Sequence, residues 1–171
     1  MKKQFLILVL GISISFVAIA QQRYCNARSQ YCMSYPAGFL KEEDSLNSTI
    51  TSFISKDKKT EITTYGGFYD DEDPFYSGGF AGFFEWQISL FRKQDGYVIN
   101  NYVVRKLTWC IFSGEDKNGN TIYFKVLKKT ISYREENDSA VVFPSITIEY
   151  PTAQQAIYED YVNYIAKWDG K

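Results

Sequence analysis

Any catalytic chemistry in this chain of 171 residues must use carboxylates, hydroxyls, lysines or thiols, because the sequence contains no histidine. The usual general base of near-neutral pH is therefore missing, and neither a Ser-His nor a Cys-His nucleophile can form. Ser113 precedes Gly114, but the Gly-x-Ser-x-Gly frame of a nucleophile elbow is absent around it. Glu42, Glu43 and Asp44 have the composition of a solvated turn rather than of a glycosidase pair. We therefore expect that the protein is not an enzyme, and a carboxylate-based hydrolase is the weakest of the alternatives.

Two polar stretches contain oxygen ligands of the kind that Ca²⁺ prefers. Residues 70–73 include three aspartates but lack the ligand spacing of an EF-hand loop. Residues 116–120 imitate the start of such a loop, but Leu127 occupies its twelfth position, and a hairpin turn is the better interpretation. Three cysteines without histidine also lack the ligand set of a zinc site. We expect no metal and no other cofactor.

Aromatic side chains flank the acidic residues in the segment 66–79, which has glycines at both ends and is the longest predicted loop. Exposed aromatic rings could stack on a sugar or contact a protein partner, and they are costly to expose unless something covers them. The alternative is that the folded domain itself covers them. The candidate binding residues are Phe68, Tyr69, Phe75 and Tyr76.

The N-terminal 20 residues have the layout of a secretory signal: two lysines, an apolar run, and the small-residue exit Ala18-Ile19-Ala20. The apolar run is shorter than the roughly 20 residues that cross a bilayer comfortably. We therefore predict cleavage after Ala20, export to the periplasm or medium, and no membrane span in the mature chain 21–171. Cleavage leaves a net charge of about −3, which favours neither nucleic acid nor an anionic membrane as a partner.

Export implies an oxidising compartment, in which disulfides persist. Cys25 and Cys32 are close in sequence, so we predict that they form a disulfide. Cys110 lies in the apolar run Trp109-Cys110-Ile111-Phe112, and we expect it to be a buried free thiol.

Alternating and helical patterns predict strands followed by a helix, then strands and a final helix. The apolar positions from Phe80 to Phe91 have helical spacing. The final helix is predicted after Pro151, with Thr152 and Gln155 as a capping box. Its apolar positions are Ile157, Tyr161, Ile165 and Trp168.

Strands are predicted at 31–35, 48–55, 60–65, 97–107, 109–114, 121–132 and 141–150. Asn118-Gly119 favours a tight hairpin turn because both residue types tolerate positive φ. Ser145, Thr147 and Glu149 alternate with apolar residues, which indicates a sheet with one more polar face. Short connections make the sheet antiparallel, so the chain 21–171 is predicted to form one α+β domain with helices against the sheet.

Four short motifs occur along the chain: an aromatic strand that ends at Tyr35-Pro36, a turn at 55–58, the strand end Ser113-Gly114, and Tyr150-Pro151 before the last helix. With these motifs the chain resembles small secreted bacterial proteins of the PsbP/Mog-like fold. The resemblance implies an α/β/α sandwich. The family includes a protein that assists the oxygen-evolving complex and one that binds a small GTPase, which implies a docking surface without catalytic residues.

Two functions therefore remain open. The first is a non-enzymatic accessory module of the cell envelope that binds another envelope or secreted protein. The second is a carbohydrate or small-ligand binder that uses the aromatic residues of the 66–79 loop.

Overall fold

The computed structural model describes residues 21–42, 49–70, 72–73, 76, 78–94, 96–132 and 139–171. The predicted signal peptide, residues 1–20, lies outside the described residues, as do Glu43, Asp44 and Asp71. Within the described ranges, no helix is both long enough and apolar enough to cross a membrane.

The described residues form ten strands and two α-helices. Helix α1 (Gly79–Gln94) lies between the fifth and sixth strands, and α2 (Gln155–Lys167) follows the last strand after a short 3-10 turn. The strands are β1 (Gln21–Asn26), β2 (Tyr31–Pro36), β3 (Leu40–Lys41), β4 (Ile50–Ile54), β5 (Glu61–Phe68), β6 (Val98–Arg105), β7 (Trp109–Glu115), β8 (Asn120–Leu127), β9 (Lys129–Ser132) and β10 (Ser139–Pro151).

Eight of these strands form one antiparallel sheet in the order β3-β4-β5-β10-β8-β7-β6, with β9 paired to the first part of β10. β1 and β2 form a separate hairpin. Helix α1 lies on one face of the sheet, while α2 and the β1–β2 hairpin lie on the other. The predicted α+β fold with an antiparallel sheet between helices is confirmed.

The predicted strand 121–132 is interrupted in the structure, and β8 and β9 are its two parts. Val126 pairs with Ser145 and Lys129 with Val142, so both parts keep the same register along β10. The break in pairing lies opposite Phe143 and Pro144, and Pro144 has no N–H to donate to a neighbouring strand. The Lys128 N–H instead donates to the Thr108 carbonyl.

The α1 side of the sheet has an aromatic core, as the helical spacing predicts. Phe84 and Phe91 of α1 both pack against Phe112 of β7 and Phe124 of β8. Phe83, which is fully buried, reaches across to Tyr65 of β5 and Phe143 of β10. The helix is therefore held over the part of the sheet formed by β6, β7, β8 and the start of β10.

Two details of the predicted last helix are wrong. Ile157 is 61% exposed, and Tyr158 packs against the core in its place. No side chain caps α2, because the Thr152 hydroxyl instead forms a 2.7 Å hydrogen bond with the Thr121 hydroxyl of β8. Tyr161, Ile165 and Trp168 are buried as predicted.

The hairpin between β7 and β8 is confirmed, and Gly119 has the expected positive φ of 82°. The φ of Asn118 is not positive, so only Gly119 of the two turn residues adopts the left-handed region. Asp116 organises the turn by accepting hydrogen bonds from the backbone and side-chain N–H groups of Asn118 and Asn120.

Candidate functional site

Helix α1 leaves part of its sheet face uncovered, and a groove of about 400 Å³ lies at that boundary. We call it the α1 groove. Strands β4, β5, β8 and β10 form its floor, and one side of α1 forms its wall. Its lining residues are Ile50, Glu61, Thr63, Tyr65, Trp86, Gln87, Leu90, Phe91, Phe124, Ser145, Thr147 and Glu149.

The floor of the α1 groove is a ladder of polar cross-strand pairs between β5 and β10. Its three rungs are Tyr65 with Ser145, Thr63 with Thr147, and Glu61 with Glu149. All six residues point to the same face, because side chains alternate along each strand. The polar alternation predicted for β10 is thus confirmed, and β5 supplies the matching half.

The wall of the α1 groove is apolar. Trp86 and Leu90 are half-buried, and Phe91 continues the wall into the aromatic core. Trp86 is held in place by stacking on buried Phe83, with 6.2 Å between the ring centres. Ile50 of β4, which is 47% exposed, lies on the opposite side. The groove therefore presents apolar sides above a floor of hydroxyls and carboxylates.

The carboxylates of Glu61 and Glu149 give one end of the groove negative charge. They are directly opposite each other in the register of β5 and β10, and Glu61 accepts a 3.1 Å hydrogen bond from the Thr63 hydroxyl. Among the described residues that line the groove, none is basic. The register of β5 and β10 therefore concentrates two acidic side chains at this end of the groove.

The predicted aromatic candidates lie elsewhere, and their segment is not a loop throughout. β5 continues to Phe68, so Gly66 and Gly67 belong to a strand rather than to the start of a loop. Gly66 pairs with Pro144 of β10, and its lack of a side chain permits the close approach of Ser29 and Tyr31. This part of the predicted 66–79 loop boundary is wrong.

The described candidates pack into the domain. Tyr76 is 5% exposed and stacks on Phe83, with 5.7 Å between ring centres. Tyr69 packs edge-on against Tyr76, and half-buried Phe68 lies under the Arg28 guanidinium. Phe75 lies outside the described residues. The domain itself covers Tyr76, and a binding role for this quartet stays a prediction.

Tyr76 connects this aromatic cluster to the α1 groove through a 2.8 Å hydrogen bond with the Tyr65 hydroxyl. Burial raises the pKa of Tyr76, and the bond to Tyr65 raises it further. The phenol therefore stays neutral across the physiological range, and Tyr76 positions Tyr65 on the groove floor.

The cysteines are arranged as predicted. Cys25 and Cys32 are register partners on β1 and β2 and form a disulfide. Cys110 is a buried free thiol, and burial raises its pKa. In the described ranges, no group of three or more His, Cys, Asp or Glu side chains could hold a metal ion.

Sequence reasoning missed most of the groove. Glu61 and Thr63 carried an alternation signal, because they flank buried Ile62 in a predicted strand. Trp86 and Leu90 are four residues apart on α1 and form a second apolar stripe beside the core stripe. No sequence signal showed that this stripe lies beside the polar ladder.

An antiparallel sheet with helices on both faces is the arrangement of the PsbP-like fold. The sequence matches no known family model and no curated protein. Solved structures do share its fold, and two of them serve as examples. The solution structure of cyanobacterial PsbP (CyanoP) from Synechocystis sp. PCC 6803 matches with a TM-score of 0.56 and 11% identity, over 92% of this chain and 95% of that one. The crystal structure of LpqN, involved in cell envelope biogenesis of Mycobacterium tuberculosis, matches with a TM-score of 0.53 and 11% identity, over 90% of this chain and 85% of that one.

Proposed function

We propose that this protein is a non-enzymatic accessory module of the cell envelope, which binds a basic segment of another exported protein in the α1 groove. The observation that carries the proposal is the Glu61–Glu149 pair beside the apolar wall formed by Trp86 and Leu90. The absence of histidine from the chain supports a binding role over catalysis.

The groove has the size and chemistry to hold one or two side chains. Its volume of about 400 Å³ lies within the range of small-ligand sites, which combine apolar walls with a few polar groups. An arginine fits best, because its planar guanidinium can stack on the Trp86 ring while it donates to carboxylates. Glu61 and Glu149 would supply those carboxylates, and the stem of the side chain would contact Leu90.

Placement in the envelope has two supports. The Cys25–Cys32 disulfide suits an oxidising compartment, to which the predicted signal peptide would deliver the chain. LpqN, which shares the fold, is described as involved in cell envelope biogenesis.

Selection from a random peptide library tests the proposal. We expect enriched peptides to carry arginine or lysine next to an apolar residue. Their affinity should fall at least tenfold in Glu61→Gln/Glu149→Gln, because charge-assisted hydrogen bonds contribute about 1.5 to 3 kcal/mol each. Glu159→Gln/Asp160→Gln, on the exposed surface of α2, removes the same charge elsewhere and should leave binding unchanged.

The proposal fails if the selected peptides show no basic preference, or if the two double variants weaken binding equally.

A carbohydrate is the second candidate, because a tryptophan beside hydroxyls and carboxylates is also suited to stacking on and hydrogen-bonding a sugar. Trp86, Thr63 and Thr147 supply these groups in the α1 groove rather than in the 66–79 segment. A glycan array separates the two candidates: Trp86-dependent binding of a neutral sugar would favour the carbohydrate.

A further inference from the structure

A second cavity, of about 350 Å³, lies on the other face of the sheet, between the β7–β8 region and the end of α2. We call it the basic pocket. Its walls include Trp109 and Trp168. Four of its lining residues are lysines, and Asp169 is the only acidic residue among the described lining residues. The lysines are Lys125, Lys128, Lys129 and Lys167.

Lys125 is the unusual member of the basic pocket, since its residue surface is only 4% exposed. Its ammonium lies 5.3 Å from the centre of the Trp109 ring and donates a 2.8 Å hydrogen bond to the Ala166 carbonyl at the end of α2. An ammonium has three donors, and a buried charge is costly unless it is well paired. The Ala166 carbonyl and the Trp109 ring use only part of this donor capacity. The Lys125 ammonium, which lines the cavity, can therefore donate to a ligand as well.

Lys129 adds a second partly buried ammonium to the basic pocket. It donates hydrogen bonds of 3.1 Å to the carbonyls of Gln30 and Gly170, which tie the chain end to the β1–β2 hairpin. Burial lowers the pKa of both Lys125 and Lys129, and the charge of Asp169 opposes that lowering. Asp169 also pairs at 3.6 Å with Lys171 at the exposed surface.

Positive charge therefore exceeds negative charge in a concave site with aromatic walls and a buried ammonium. Lys128 and Lys167 are exposed and add two cationic groups at its rim. A multiply charged oxyanion would pair with several of these ammonium groups at once. The hydrogen bond from Lys125 to the Ala166 carbonyl gives Lys125 a structural role. That role does not explain why three other lysines line the same cavity.

We propose that the basic pocket binds a phosphate group, either of a soluble phosphate or of a lipid headgroup. This site is separate from the α1 groove, so it does not depend on the proposed function of that groove.

The tryptophan indole N–H signals in a ¹⁵N NMR titration test the proposal in the full mature chain. With inorganic phosphate, the signals of Trp109 and Trp168 should shift in a saturable way. The signal of Trp86, which lines the α1 groove, should not move. Sedimentation with phosphatidylglycerol vesicles, compared with phosphatidylcholine vesicles, tests the lipid source.

The rim variant Lys128→Ala/Lys167→Ala should weaken binding roughly tenfold while the fold is kept, because both side chains are exposed. The control variant Lys59→Ala/Lys117→Ala removes the same charge from exposed turns at the other end of the sheet and should bind like the wild type. Lys125→Met, which keeps the apolar stem, should abolish binding if it folds by circular dichroism.

Saturable phosphate binding that depends on the rim lysines supports a soluble phosphate, and rim-dependent binding to phosphatidylglycerol vesicles alone supports a headgroup. The inference is overturned if neither probe binds, or if the rim and control variants lose binding equally.

Discussion

Replacing Tyr76 distinguishes a core role from an exposed binding role for the aromatic residues of the 66–79 segment. Its ring is 5% exposed, and it contacts Phe83, Phe143 and Tyr69 at 5.6–5.8 Å between ring centres. Truncating a buried aromatic to alanine costs about 3–5 kcal/mol, through lost burial and the cavity left behind. We expect Tyr76→Ala to lower the free energy of unfolding by about 4 kcal/mol.

The two components of this loss can be separated. Tyr76→Phe keeps the ring and removes only the 2.8 Å hydrogen bond to Tyr65, so it should cost about 1 kcal/mol. Tyr102→Ala is the matched control, because Tyr102 is 45% exposed and stacks on Tyr123 alone among the described rings. A surface substitution of this kind should cost less than about 1 kcal/mol.

Urea denaturation followed by fluorescence measures these differences, and thermal unfolding gives an independent value. In a domain of this size, a loss of 4 kcal/mol lowers the midpoint by roughly 8–16 °C. If Tyr76→Ala were no more destabilising than Tyr102→Ala, the ring could not be part of the core, and a partner that covers the quartet would again be the better explanation.

Three further predictions follow from local geometry. Gly66→Ala should cost roughly 1–3 kcal/mol in urea denaturation, because the added Cβ would lie 2.6 Å from the Ser29 hydroxyl oxygen and 2.7 Å from the Tyr31 ring; an unchanged midpoint would contradict the close approach. Cys25→Ser/Cys32→Ser should cost roughly 2 to 3 kcal/mol by releasing a short loop, and reduction of the wild type should cost the same; no effect of either would contradict the pairing. Asp116→Asn should remove part of the acid sensitivity of the fold. Burial raises the pKa of Asp116, but the hydrogen bonds from Asn120 and Asn118 outweigh burial and lower the pKa below its ordinary 3.8. Its contribution to stability is therefore complete above that value and is lost as the pH falls through the lower folded-state pKa; a wild-type advantage that persists undiminished well below that pH would refute this assignment.

The sequence predicted the fold well because local signals agreed with the global architecture. Alternation identified the strands, the Phe80 to Phe91 spacing identified α1, and Asn118-Gly119 identified a hairpin. Errors occurred where tertiary contacts override local preference. Thr152 bonds Thr121 rather than capping α2, and the predicted strand 121–132 is interrupted at Lys128, close to Pro144, which is 16 residues further along the chain.

The candidate site was harder to predict because it is formed between elements. Glu61 and Glu149 are 88 residues apart and become neighbours only when β10 inserts between β5 and β8. The 66–79 segment is rich in glycine and aromatic residues, a composition that is typical of binding loops. Gly66 nevertheless lies in β5 and packs closely against Ser29 and Tyr31. Composition cannot distinguish those two uses.

Site-specific photo-crosslinking in intact cells tests the central proposal, the binding of an exported protein in the α1 groove, most directly. A photoreactive phenylalanine analogue at Gln87, in the wall of the groove, should give one dominant adduct, and mass spectrometry should place the crosslink beside an arginine or lysine of an exported protein. The same analogue at exposed Asn163 of α2 should not give that adduct, and Glu61→Gln/Glu149→Gln should remove it. No adduct at Gln87, or an adduct that survives the loss of both glutamates, would contradict the proposed function.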